Sequence, residues 1–179
     1  MTETQPPKTS RAGRNLPAAI AVGVILGGGL IATLILAPRG WVAMVAVAMA
    51  VATSEVVRRL REGGYDIPLI PLLVGGQAMV WLTWPFGTVG ALGGYGGTVV
   101  ACLIWRLLSG GLKSQPMNYL RDVSITVFLA TWIPLFGAFG ALLIYPEDGW
   151  ARVFALMLGV VFSDIGGYAE AKIKELNKE

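Results

Sequence analysis

The chain contains no histidine, a single cysteine and few charges. Without histidine, imidazole acid–base chemistry and any Ser-His or Cys-His catalytic pair within this chain are excluded. Cys102 alone cannot form an intrachain disulfide, nor a zinc site of the usual kind. It lies in an apolar run and does not identify the redox compartment. Charged residues make up 14% of the 179 positions. A soluble domain carries roughly 25%. What replaces the missing charge is hydrophobic: 55% of the chain.

That apolar content is arranged in runs. A bilayer core about 30 Å thick is crossed by roughly 20 mostly apolar helical residues. The candidate runs are 17–37, 41–57, 67–84, 89–108, 123–145 and 150–168. Pro38-Arg39-Gly40 stops the first, Glu55 lies near the end of the second, and Pro134 interrupts the fifth. The expected fold is therefore all-α: a polytopic, multi-pass membrane protein of about six transmembrane helices. The first run is too long for a signal peptide, and no clean small-residue cleavage site precedes the next run. Residues 1–16 read as a disordered cytoplasmic terminus, 17–169 as the transmembrane domain, and 170–179 as a polar helical tail.

Charge assigns the sides. Loops on the cytoplasmic face carry an excess of Lys and Arg. Arg11 and Arg14 precede the first run, Arg58, Arg59 and Arg61 follow the second, Arg106 and Arg121 flank the loop after the fourth, and Lys172 and Lys174 follow the sixth. The opposite side holds Arg39, Arg152 and the acidic pair Glu147 and Asp148. Both termini are expected in the cytoplasm. Trp41, Trp84 and Trp150 fall at the opposite ends, where amphipathic rings favour the interface.

Several groups have simple structural readings. Gly90/Gly94, Gly93/Gly97 and Gly23/Gly27 have the spacing that lets membrane helices approach closely. The stretch 90–97 is glycine-rich but follows no strand and lacks a Lys-Ser/Thr ending, which argues against a nucleotide loop. Glu55 has Arg58 and Arg59 one helical turn away, and a local ion pair accounts for it. The cluster Arg58, Arg59 and Arg61 sets topology or attracts an anionic headgroup. Arg121 either grips a phosphate or pairs locally. Ser124, Thr126 and Thr131 read as interhelical hydrogen-bond groups.

Asp164 stands beside Ser163 at the end of the last apolar run. An ionisable residue there is either the point where the helix leaves the lipid or a functional group. Ser163-Asp164-Ile165-Gly166-Gly167-Tyr168-Ala169 resembles the Ser-Asp-x-Gly-x-Tyr motif of phosphatidate cytidylyltransferases, the CDP-diacylglycerol synthases. Ser10–Arg14, Glu55–Glu62, Trp81–Gly87 and Asn118–Ser124 resemble the actinobacterial, mycobacterial-type members. The resemblance implies a nucleotidyltransferase of phospholipid biosynthesis in the inner (plasma) membrane. The phosphate of phosphatidate attacks the α-phosphorus of CTP, giving CDP-diacylglycerol and pyrophosphate. It further implies Mg²⁺, with K⁺, as cofactors. Ser163 and Asp164 become the catalytic residues and Asp164 a metal ligand. Gly166 and Tyr168 belong to the same motif and are assigned, with Arg121, to the bound nucleotide, Arg121 resting on its own chemistry rather than on the motif. Mg²⁺ prefers oxygen ligands, and such transfers rely on metal-bound carboxylates and fixed cations.

The segment 170–179 does not resemble the family, and the Ser-Pro-Lys-Lys stretch and the Asp-rich, His-Gly-Gly signature of its members are missing from this sequence. The expectation is an amino-terminal portion, inactive alone. The alternatives are a non-catalytic helical scaffold or homodimerisation unit using the glycine faces, and a small transporter with broken helices. The expected partners are CTP, phosphatidate and membrane lipid, without nucleic acid.

Overall fold

In the computed structural model, residues 21, 25, 27–34, 37–109, 111 and 117–176 are described. Five α-helices with defined bounds follow residues 27–34, which are themselves helical. They are α1 (Pro38–Glu62), α2 (Leu69–Leu108), α3 (Tyr119–Ala130), α4 (Phe136–Leu142) and α5 (Gly149–Leu176). A π-helical segment, Thr131–Leu135, joins α3 to α4. No strand occurs among the described residues. Four helical stretches are long and apolar enough to cross a membrane: Gly40–Glu62, Leu69–Leu108, Tyr119–Leu142 and Gly149–Tyr168. Positions 17–20, 22–24, 26, 35 and 36 of the first apolar run, Gly23 among them, lie outside the described residues.

The 40 residues of α2 would span about 60 Å if straight, twice a bilayer core. They are not straight. Gly87 has φ +56° and ψ −136°, close to the first central position of a type II′ turn, which glycine dominates. Pro85 just before it removes a backbone donor. The two arms of α2 therefore fold back on each other. A Cβ on Gly75 would collide with Thr98, and one on Gly94 would lie 3.1 Å from the Met79 backbone. Gly90 meets the Leu82 carbonyl in the same way. Gly90 and Gly94 thus make the close contacts that their spacing suggests. Gly93, Gly97 and Gly27 have no such neighbour among the described residues.

Pro134 is absorbed rather than ending its helix. Proline lacks an N–H and crowds the preceding turn, and a wider π turn accommodates it. The result is one continuous stretch from Tyr119 to Leu142. Gly76 lies against Pro134, at 3.1 Å from a would-be Cβ, so α2 can approach the widened turn.

The bundle has an aromatic end and a charged end. At the aromatic end Trp41 donates to the Gly140 carbonyl (3.0 Å), and the hydroxyls of Thr83 and Tyr145 share a hydrogen bond (2.8 Å). Trp84 meets Tyr145 edge to face. One apolar core, including Val42, Met79, Ala91 and Ala138, lies below these rings. A second, with Val57, Ile67, Leu72, Cys102 and Leu129, lies nearer the charged end. Gln77 reaches across to the Ala46 carbonyl (2.9 Å) and Tyr95 to Thr131 (2.9 Å). Ser124 and Thr126 instead bond the carbonyl four residues back in their own helix, as Thr131 also does.

Helix α5 leaves the bundle early. Gly149 and Val153 are buried, whereas every residue from Leu158 to Tyr168 is exposed. The helix runs through residue 170 without a break to Leu176, as its helix-forming composition suggests.

Candidate functional site

Two places carry polar chemistry. The first is the motif Ser163–Tyr168. It occupies consecutive turns of α5, with Ser163, Asp164, Gly166 and Tyr168 all exposed. No hydrogen bond or ion pair among the described residues joins it to Arg121, and no three metal-binding side chains gather anywhere among them. Asp164 could give Mg²⁺ carboxylate oxygen, but among the described residues no pair of further metal-binding side chains gathers with it. The described residues therefore do not build a metal site on their own.

The second is a buried ionic cluster at the charged end. It begins with the end of α1. Gly64, at φ +81°, occupies the left-handed position after the helix. Gly64 N–H bonds the Arg61 carbonyl (3.0 Å) and Tyr65 N–H the Leu60 carbonyl (3.1 Å). This is a Schellman cap, in which glycine removes the strain of positive φ. It throws residues 64–67 across the mouth of the bundle. Asn118, at φ +56°, turns the chain into α3, a conformation asparagine tolerates.

Asp122 lies in the first turn of α3 and is 1% exposed. One of its carboxylate oxygens accepts from Arg106 (Nε 3.3 Å, Nη2 2.8 Å) and the other from Arg121 (Nε 3.0 Å, Nη2 2.9 Å). Arg106 also donates to the Met117 carbonyl (2.9 Å) and Ser109 (3.0 Å), and lies 3.4 Å from Asp66. Arg121 donates to the Gly64 carbonyl (2.7 Å) and stacks over the Tyr65 ring, 4.5 Å from its centroid. Arg61 holds the Ile67 carbonyl (2.6 Å). Three arginines from three helical elements thus hold loop residues 64–67. Arg106 and Asp122 are the buried charges among them; desolvating that pair is expensive, and only its complete hydrogen bonding makes the arrangement tolerable. No buried side-chain nitrogen or oxygen among the described residues lacks a partner.

Of the residues singled out in the sequence, Arg121 is locally paired, and Glu55 bonds Arg58 (2.7 Å) and Arg59 (3.3 Å). Arg106, Asp66 and Tyr65 were not apparent as a site. Arg106 read as a loop charge, although an arginine closing an apolar run with an aspartate opening the next carried a signal.

The fold and its polar residues define a multi-helical membrane protein, and the chain belongs to the cytidylyltransferase family, whose pattern matches residues 17–173. It is 63% identical, over 90% of its length, to the phosphatidate cytidylyltransferase of Mycobacterium bovis, covering 56% of that protein. The Mycobacterium tuberculosis enzyme is likewise 63% identical over 90% of this chain, with 52% of the relative covered. The phosphatidate cytidylyltransferase of Mycobacterium leprae is 62% identical, with 89% and 55% covered. The chain thus spans about half the length of the curated relatives it matches. No solved structure matches it.

Proposed function

We propose that this chain provides the amino-terminal, membrane-spanning part of a phosphatidate cytidylyltransferase. The identity over 90% of the chain to relatives of that name carries the reading. In this reading the phosphate oxygen of phosphatidate attacks the α-phosphorus of CTP, and pyrophosphate leaves. Ser163, Asp164, Gly166 and Tyr168 contribute to the nucleotide and metal side of that site. Mg²⁺, with K⁺, is the cofactor set this reading carries. Asp164 is the one carboxylate of this set and the chain spans about half of its relatives, so the chain alone is expected to be inactive. Arg121 contacts phosphate only by sharing a guanidinium that Asp122 already holds.

The test is CDP-diacylglycerol formation from CTP and phosphatidate by the intact enzyme that contains this segment. Asp164→Ala abolishes turnover while membrane insertion is unchanged. Near-normal turnover removes Asp164 from the site.

The proposed topology has about six spans, with the two arms of α2 counted separately, and both termini on the cytoplasmic side of the inner membrane. The arms' reversal at Gly87 and the gathering of arginines at one end support it. In a Cys102→Ala background, single cysteines at Ser163 and Glu147 should label from opposite sides. Labelling from one side would reject this topology.

A further inference from the structure

We infer that a groove beside the last turns of α1 binds the phosphate of an anionic glycerophospholipid, with Arg61 as its fixed cation. The groove has a volume of about 590 Å³. Leu69 supplies accessible apolar lining over a floor backed by the fully buried Val57, and Arg58 and Arg61 supply positive charge. Glu55 and Glu62 also line it, but each is already engaged, Glu55 by Arg58 and Arg59, and Glu62 by Arg59.

Arg61 differs from its neighbours. Arg58, Arg59, Arg106, Arg121 and Arg152 each lie within ion-pair distance of a carboxylate. Arg61 has no carboxylate partner among the described residues. Its Nε and Nη2 donate to the Ile67 carbonyl at 3.2 and 2.6 Å. A neutral carbonyl orients the guanidinium without cancelling its charge. Two of its nitrogens are fixed by that carbonyl, and the other edge of the donor fork can serve an anion. Guanidinium recognises phosphate with directed, charge-assisted bonds.

The groove's position selects a lipid over a free anion. It lies at the charged end of a helix long and apolar enough to cross a membrane. Phosphate at that level brings acyl chains alongside the half-buried Leu69. This site rests on the membrane setting and not on cytidylyl transfer. Binding and turnover can therefore fail separately.

The experiment is a titration of the purified chain in detergent with dioctanoyl phosphatidate, read by native mass spectrometry. Saturable binding is expected, with weaker binding of dioctanoyl phosphatidylcholine. Arg61→Gln should weaken phosphatidate binding about tenfold or more, the factor expected for a lost bond to a charged group. Arg61→Lys should recover part of it. Leu69→Trp, which fills the apolar side without altering charge, should also weaken binding. Unchanged affinity in Arg61→Gln overturns the proposal. So does equal binding of sn-glycerol 3-phosphate, which has the phosphate but no chains. If Arg61→Gln does not fold, unchanged affinity in Leu69→Trp overturns it by itself, and a loss there upholds it.

Discussion

Replacing Asp122 by alanine would strand a buried cation. The carboxylate accepts four hydrogen bonds, two from Arg106 and two from Arg121. Each bond to a charged group contributes about 1.5–3 kcal/mol when considered singly. Their sum overshoots, because the four share one carboxylate and removing it also removes its own desolvation penalty. Breaking a buried pair from one side costs about 3–5 kcal/mol. Arg121 is 44% exposed and keeps the Gly64 carbonyl and the Tyr65 ring. Arg106 is 8% exposed and, among the described residues, keeps only Asp66, itself 63% exposed, as a charged partner. The loss should thus fall near the lower bound, about 3 kcal/mol. The double variant Arg106→Met with Asp122→Leu should return to within about 1 kcal/mol of the parent, since no buried charge is then stranded. Reversible unfolding in mixed micelles, followed by far-UV circular dichroism, measures both. A single variant within about 1 kcal/mol of the parent, or a double variant as unstable as the single, would refute the stranded-charge argument.

Gly87→Ala should lose about 1–3 kcal/mol in the same assay, because alanine must take up a positive φ; an unchanged midpoint argues against the reversal there. Gly75→Leu should separate the arms of α2 through collision with Thr98, and Thr98→Ala should relieve part of that loss; additive losses would deny the contact. Trp41→Phe should cost about 0.5–1.5 kcal/mol through the lost bond to the Gly140 carbonyl. The hydrogen bond from Arg152 holds the Asp148 carboxyl below its ordinary range. Its contribution to this turn is present above the unfolded-state pKa and fades as pH falls through the depressed native value. Carboxyl NMR titration should show a low midpoint that Arg152→Gln moves back toward the ordinary value; an unmoved midpoint assigns the shift elsewhere.

Run length made the helical class legible, because a membrane helix must satisfy its backbone internally whatever its neighbours are. The Glu55 ion pairs were legible for the same local reason: partners one turn apart meet on any helix. The reversal between the runs 67–84 and 89–108 was legible too, since each is long enough to span by itself. That Gly87 makes it, and that Gly75 meets Thr98 and Gly94 meets Met79 across it, needed the structure. Pro134 looked like an interruption, yet the π turn beside Gly76 carries the helix past it. The motif at Ser163–Tyr168 could be read directly, since it is a string of adjacent residues.

The sequence by itself determined that the chain is helical, where its apolar runs lie, that its charges favour one end, and which family it joins. These follow from periodicity, composition and contiguous identity, none of which needs a fold. Only the tertiary structure decided that Arg106, Asp122, Arg121 and Asp66 form one cluster and that Arg61 stands apart from it. Those residues are brought together by a hairpin and a capped loop from separate helices. Buried charges also interact through distances of a few ångströms, which residue spacing along a chain does not encode.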